Sequence, residues 1–314
     1  MPATLDHWIA DTLAIERLNA QSLIVTVLGD AIAPFGGHTW LKSLMRLVEP
    51  LGLNDRLVRT SVFRLAAEGW LLANRRGRRS EYRLTPQGFS RFEQAHHRIY
   101  TLAAQQWDGQ WTLVLLPPAE ASPARQQLRR ELEWEGFVAL GTGVLAHPAP
   151  RPDAVGGIVD RLGMREQVFV LSAREAVPLR GRPLGEFARD AWSLTALAAD
   201  YDRFIGRFSP LLQGLQGLAD PAQDLAPEPA FLARTLLVHE FRRVQLRDPQ
   251  LPQALLPGQW PGLAAYRLSG EIYRRLYPAA NRHVLAVLEA ESGFVPPLTP
   301  YFYQRFGGLL NDLA

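Results

Sequence analysis

Residues 54–84 read NDRLVRTSVFRLAAEGWLLANRRGRRSEYRL. Asn54 is a good N-cap for a helix running to about Glu68. Within it Leu57, Val58, Leu65 and Ala66 can face a core, with Val62 beside them, and Arg56, Arg59, Thr60 and Arg64 are left outside. Gly69 stops the helix, Trp70-Leu71-Leu72-Ala73 begins a strand, and Tyr82-Arg83-Leu84 returns as a second one. Between the strands, Arg75-Arg76-Gly77-Arg78-Arg79 form a basic turn whose tightness Gly77 permits. A recognition helix followed by a basic hairpin is how a winged helix holds DNA.

Reading upstream supports that assignment. QSLIVTVLGDAIA (21–33) is an apolar helix broken by Pro34-Phe35-Gly36-Gly37. Thr39 can cap a second helix, Trp40–Val48, and Pro50 and Gly52 turn the chain into the third. Downstream, Thr85-Pro86 opens a further helix expected to continue through Gln105. Charge agrees with this order. From Trp40 to Arg83 there are ten basic residues (Lys42 and nine Arg) against four acids (Glu49, Asp55, Glu68, Glu81), a local +6 in a chain of net +3, which leaves −3 elsewhere. A GC-rich genome accounts for arginine replacing lysine, but not for this clustering. Arg56, Arg59, Thr60 and Arg64 on the helix, and Arg75, Arg76, Arg78 and Arg79 on the hairpin, are therefore the DNA-binding candidates. Arg64 has a competing partner in Glu68 at i+4.

Trp107-Asp108-Gly109 marks a boundary. WTLVLL (111–116) reads as a buried strand ended by Pro117-Pro118. Residues 123–135 read as a helix, Phe137–Ala146 as further strand sequence with a bulge at Gly141-Thr142-Gly143, and Val168–Leu171 as another buried strand. This order suits a small ferredoxin-like domain. Helices are expected at 185–218, 229–247, 262–277 and 281–290. The fold class expected is α+β, in three parts: a winged helix-turn-helix at 1–106, a ferredoxin-like domain at 107–178, and a mainly helical effector and dimerisation domain at 179–314.

Other classes find little support. With 47% hydrophobic and 21% charged residues, the 314-residue composition is that of a globular protein, and no run of about 18 apolar residues suggests a membrane span. The acidic start MPATLDHWIADTL is not a secretory signal, and the lack of cysteine excludes thiolate and disulfide chemistry, so a cytoplasmic location is expected. His239-Glu240 lacks the second histidine of a zinc helix, since position 243 is Arg. His96-His97 read as a solvated pair. Nucleotide fingerprints and nucleophile elbows are missing. No cofactor, no metal and no enzymatic activity are expected.

The stretch from Ser22 to Gly88, the junction WDGQWTLVLLP with ELEWEGFVALGTGVLAHP, and HEFRRVQLRDPQLPQALLPGQWPGLAAYRL (239–268) together resemble the PaaX family of phenylacetate-catabolism repressors. The resemblance covers about residues 20–280. It implies a GntR-like winged helix, a homodimer on double-stranded operator DNA, and release by an aryl-CoA thioester such as phenylacetyl-CoA. The middle domain is also similar to CRISPR-associated endoribonucleases, which hold a metal with a carboxylate at the end of the first strand. Here Pro117-Pro118 stand at that end and Asp108 lies before the strand, which removes the start of a nuclease mechanism. At ~100° per residue, Glu240, Arg243 and Arg247 share one side of their helix beside Leu232, Leu236 and His239. With Trp260, these residues are the effector-binding candidates; the competing reading is a structural ion-pair cluster pinning the Pro-rich loop. The alternatives to a repressor are a winged-helix module in a protein assembly without effector, and a metal-dependent nuclease.

Overall fold

The computed structural model describes residues 5–15, 18–102, 107–116, 122–149, 151–174 and 184–309. The chain opens with α1 (Leu5–Ile15) and α2 (Ala20–Val27), followed by β1 (His38–Trp40), α3 (Leu41–Val48), α4 (Asp55–Ala67), β2 (Leu71–Arg76), β3 (Arg79–Leu84) and α5 (Pro86–Tyr100). Then come β4 (Trp111–Leu115), α6 (Pro123–Trp134), β5 (Val138–Gly141), β6 (Val144–His147), α7 (Pro152–Arg161) and β7 (Phe169–Ala173). Helices α8 (Leu184–Ala191), α9 (Leu194–Gln216), α10 (Pro221–Asp224), α11 (Pro227–Gln245) and α12 (Gly262–Ser292) complete it, with a 3-10 segment at Pro300–Gly307. The fold is α+β, as expected.

Two compact units share these elements. One comprises Met1–Leu102, Asp202–Gln245 and Leu263–Ala314; the other comprises Ala103–Tyr201 and Leu246–Gly262.

In the first unit, Asn19, Asn54 and Thr85 cap α2, α4 and α5, each side-chain oxygen accepting a backbone N–H of the first turn. Strands order as β1-β3-β2, all antiparallel, so the hairpin leans on a short strand just before α3. Gly88 seats α5 close to the sheet, because a Cβ there would stand 2.4 Å from the Trp70 carbonyl oxygen. The helix expected at 21–33, α2, departs from expectation. It is regular only to Val27, then widens into a π-helical stretch, Leu28–Ile32, and tightens into a 3-10 turn, Ala33–Phe35. That widening accommodates Asp30, a buried carboxylate discussed below. Helix α5 ends at Tyr100, with Thr101 already extended, rather than continuing to 105; residues 103–106 lie outside the described ones.

Helix α11 is buried along nearly its whole length, including Phe231, Leu236, Leu237 and Phe241, so it forms the centre of its unit. The two helices expected at 262–277 and 281–290 are one 31-residue helix, α12. Pro278 lies inside it and removes one backbone donor without ending it. The span 185–218 instead divides into α8 and α9 at Trp192-Ser193, where Ser193 adopts φ 51°.

The second unit contains the order β4-α6-β5-β6-α7-β7, with strands arranged β5-β6-β4-β7 and every pair antiparallel. This is a ferredoxin-like topology. Val114, Leu128, Leu132, Phe137, Leu145, Val155, Val159 and Met164 form its core. The β5–β6 register shifts between Ala139 and Gly141, the bulge expected near there. β7 differs from the expected buried strand. It pairs only with β4, at the sheet edge, and Phe169, Val170 and Leu171 are exposed. Pro117-Pro118, expected to end β4, lie outside the described residues.

Candidate nucleic-acid interface

Helix α4 buries Val58, Ser61, Val62 and Leu65 on one side. Arg56, Arg59, Thr60 and Arg64 are all exposed, as the spacing predicted, whereas Leu57 is exposed and not in the core. Arg56 and Arg59 have no side-chain partner among the described residues. The Thr60 hydroxyl donates back to the Arg56 carbonyl at 2.9 Å. Arg64 does not pair with Glu68; that carboxylate instead accepts from Gln21 Nε2 at 3.3 Å.

Strands β2 and β3 pair from Leu71↔Leu84 out to Arg76↔Arg79, leaving Gly77-Arg78 as the tip. Gly77 takes φ +62°, the left-handed geometry such loops require. Arg75, Arg76, Arg78 and Arg79 are exposed on this wing. Two carboxylates that the sequence reading left without a role order it. Glu81, buried in β3, accepts from Arg83 Nη2 at 2.9 Å, lies 3.2 Å from Arg76 Nε, and contacts His38 Nε2. Burial alone would raise its pKa, but the Arg83 hydrogen bond and the charges of His38, Arg83 and Arg76 hold it below the usual carboxylate value.

Glu291, near the end of α12, accepts from Arg79 Nη2 at 2.5 Å and from Lys42 Nζ at 2.7 Å. Its backbone carbonyl accepts a further bond from Arg79 at 2.9 Å, and the Arg79 guanidinium stacks on Trp40 at 4.2 Å. The Lys42 hydrogen bond, ahead of opposing burial and the Lys42 and Arg79 charges, keeps this carboxyl ionised at lowered pKa. Arg79 and Lys42 are thus held by the protein itself. No local sequence signal could show it, since Glu291 stands 212 residues from Arg79.

The same unit contains a buried ionic cluster. Asp30 Oδ1 accepts from Tyr100 at 2.7 Å, Tyr273 at 2.9 Å and Arg305 Nη1 at 2.8 Å, while Arg234 Nε stands 3.1 Å from Oδ2. Both arginines are fully buried. Burial pushes the Asp30 carboxyl up, but Arg234, Arg305 and the two phenols bring its pKa below the ordinary carboxylate value. Arg305 also stacks over Tyr100 and Phe302 at 4.4 and 4.6 Å. His96 is half-buried between the rings of Tyr100 and Tyr301, with its pKa lowered to about 3 by burial and then by Arg305. It is therefore not the solvated histidine expected, although His97 is exposed.

The effector candidates divide between the units. His239 is buried, and its Nδ1 lies 2.9 Å from Thr26 Oγ1. Glu240 accepts from Arg243 at 3.2 Å and lies 3.6 Å from Arg207. Arg247, in the second unit, pairs with Asp200 at 2.5 Å, and Trp260 meets Tyr201 edge-on at 5.8 Å. Asp108 pairs with Arg174 at 3.0 Å. Among the described residues no group of three or more His, Cys, Asp or Glu is placed to hold a metal ion, and no helix is long and apolar enough to cross a membrane.

Comparison with known proteins places this geometry in context. The PaaX-like protein family matches residues 19–88, the PaaX protein central Cas2-like domain matches 104–182, and the PaaX-like protein C-terminal domain matches 192–286. The transcriptional repressor PaaX of Escherichia coli strain K12 is 37% identical over 305 residues, 97% of this chain and 95% of that one. Among solved structures, the uncharacterized protein Rv0674 from Mycobacterium tuberculosis is 21% identical, with a TM-score of 0.47 over 84% of this chain and 99% of that chain.

Proposed function

This chain belongs to the PaaX family, and on that premise we propose that it is a transcriptional repressor that occupies double-stranded operator DNA. Its role is regulatory, not enzymatic. The observation that carries the reading is the coincidence, on one compact unit, of an outward arginine stripe on α4 and an exposed arginine wing. Arg56, Arg59, Thr60 and Arg64 would address base edges and flanking phosphates, and Arg75, Arg76, Arg78 and Arg79 the backbone beside them. Arg76 and Arg79 already lie against carboxylates, so DNA phosphates would compete for them with Glu81 and Glu291.

The regulated pathway is of the phenylacetate type, and the releasing ligand an aryl-CoA such as phenylacetyl-CoA. The candidates for contacting it remain His239, Glu240 and Arg243 in the first unit and Arg247 and Trp260 in the second. The burial of His239 limits it to orienting α11, whereas the exposed guanidiniums of Arg243 and Arg247 suit a CoA phosphate. An aryl-CoA binding more tightly to a form with displaced wings would lower DNA affinity by linkage. A homodimer addressing inverted half-sites completes the reading. The exposed apolar edge β7 of the ferredoxin-like unit is suited to a second copy. The division at 1–106, 107–178 and 179–314 is kept as a functional one. Operator binding places the protein with the chromosome, in the cytoplasm of a bacterium such as the one carrying the 37%-identical relative.

A mobility-shift titration on the DNA upstream of its own gene tests this. Arg59→Ala should weaken binding by roughly tenfold or more. Phenylacetyl-CoA, but not free phenylacetate, should dissociate the wild-type complex. Wild-type affinity in the variant rejects the α4 assignment, and indifference to every aryl-CoA rejects the effector.

A further inference from the structure

Helix α4 exposes two large apolar side chains, Leu57 and, further out, Phe63, and neither the core nor the arginine stripe accounts for Phe63. Phe63 is 73% exposed and stacks on no other ring among the described residues. At ~100° per residue, Arg56, Thr60 and Phe63 lie within about 60° of one another, facing away from buried Val58, Ser61, Val62 and Leu65. Phe63 follows Arg59 by one turn and Arg56 by two and directly precedes Arg64, so the ring lies on the cationic side of the helix, toward the C-terminal end of the arginine stripe. Single exposed apolar residues are common on protein surfaces. A phenylalanine on the outward line of a helix that also carries Arg56, Arg59 and Arg64, and contributing nothing to the core, suits an occupant that is both anionic and locally apolar.

Resting on the DNA-binding reading above, we propose that Phe63 is a base-reading residue that packs its ring on the 5-methyl group of thymine in the major groove. The major-groove edge offers acceptors and donors at every base pair but only one apolar group, that methyl. Arginines on either side satisfy phosphates and guanine edges, and they draw the helix deep enough for the ring to lose its water. The thymine methyl then supplies the apolar contact. Specificity at that position comes from apolar burial and not from a hydrogen bond, so it withstands salt better than the arginine contacts do.

The test combines a protein change with a matching DNA change. In the shortest upstream duplex that the wild-type protein shifts, each thymine is replaced in turn by deoxyuridine, which removes only the methyl. At one or two positions per half-site the wild type should lose about fourfold in affinity, the scale of one buried methyl-sized group. Phe63→Ala should bind the thymine duplex at least that much more weakly and should be indifferent to deoxyuridine at those same positions. Phe63→Leu should recover part of the sensitivity. Equal deoxyuridine sensitivity in wild type and Phe63→Ala, or wild-type affinity in Phe63→Ala, overturns the inference. So does a change in oligomeric mass on sedimentation of Phe63→Ala, which would assign the ring to a protein contact. A wild-type protein that shifts no duplex at all overturns the repressor reading, and this inference with it.

Discussion

His239 shows how a single side chain can be misjudged from its neighbours in sequence. Beside Glu240 and Arg243 it looks like part of a ligand site, yet it is buried between α11 and α2. The Thr26 hydroxyl proton is directed at the Ser22 carbonyl, 3.1 Å away, so the Thr26 oxygen accepts from His239 Nδ1–H. Burial first, then the charges of Arg242 and Arg243, lowers its pKa to about 3. The folded protein therefore holds the ring neutral where the unfolded chain protonates it, near pH 6.5. Between these values the unfolded state binds more protons, so stability falls as pH falls. The limit is about 1.4 kcal/mol per pH unit for one such histidine, and the effect vanishes above the unfolded pKa. Urea unfolding between pH 6.5 and 4.5 should show a smaller loss per unit in His239→Gln than in wild type, with half-buried His96 and His283, whose pKa values burial also lowers, contributing to the slope that remains. Parallel slopes would mean that His239 is already charged in the folded protein.

At the scale of elements, the wing is the informative case. Its strands, its glycine and its arginines were readable from residues 69–84, because turn chemistry and strand pairing act over a few residues. The core-facing side of α4 was readable at Val58, Val62 and Leu65, but Leu57 is exposed, Ala66 only half-buried, and Ser61 goes inward. Phe63 was also within reach, since its spacing from Arg56 and Arg59 is visible in the sequence. What sets the wing's position was not. Glu291 comes from the far end of α12, and a pairing across 212 residues leaves no periodic trace. The same holds for β7, whose apolar composition fits an interior strand as well as an edge one, a difference decided only by sheet order. Glu291 holds two cations that DNA would otherwise attract. Replacing it by Gln should raise affinity for a random duplex and steepen the plot of log K against log salt. The steepening should be about 0.9 for each further phosphate that Lys42 or Arg79 neutralises once released, with two phosphates as the ceiling. Fluorescence anisotropy from 50 to 200 mM salt reads this directly. A slope unchanged from wild type removes Glu291 from any part in wing control.

The first unit is assembled from three separated stretches of chain, and this determines what can be cut away. A winged helix is usually thought of as a portable head, and residues 1–106 contain every strand and helix that such a head needs. The packing argues against portability. Asp30, in the π-helical turn after α2, depends on Arg234 of α11 and on Arg305 near the C-terminal end. Ser22 accepts twice from Arg242, Thr26 meets His239, the Ser43 hydroxyl donates to the Val287 carbonyl, and Tyr266 donates to the Tyr100 carbonyl. Leaving a buried charge without its partner costs about 3–5 kcal/mol, and a whole domain is stable by only about 5–15 kcal/mol. Removing both arginines and the apolar cover of α11 together should exceed that margin. A fragment of residues 1–106 should therefore keep some helical signal yet show no cooperative thermal transition, and it should bind a hydrophobic dye that the full chain does not. A sharp transition in the fragment would show that the Asp30 cluster is dispensable and the head independent. The physical consequence of the first outcome is regulatory. If the wing and α4 exist as a folded surface only while α11 and α12 support them, any ligand that shifts those helices acts on the DNA-reading surface directly, because it acts on the same core.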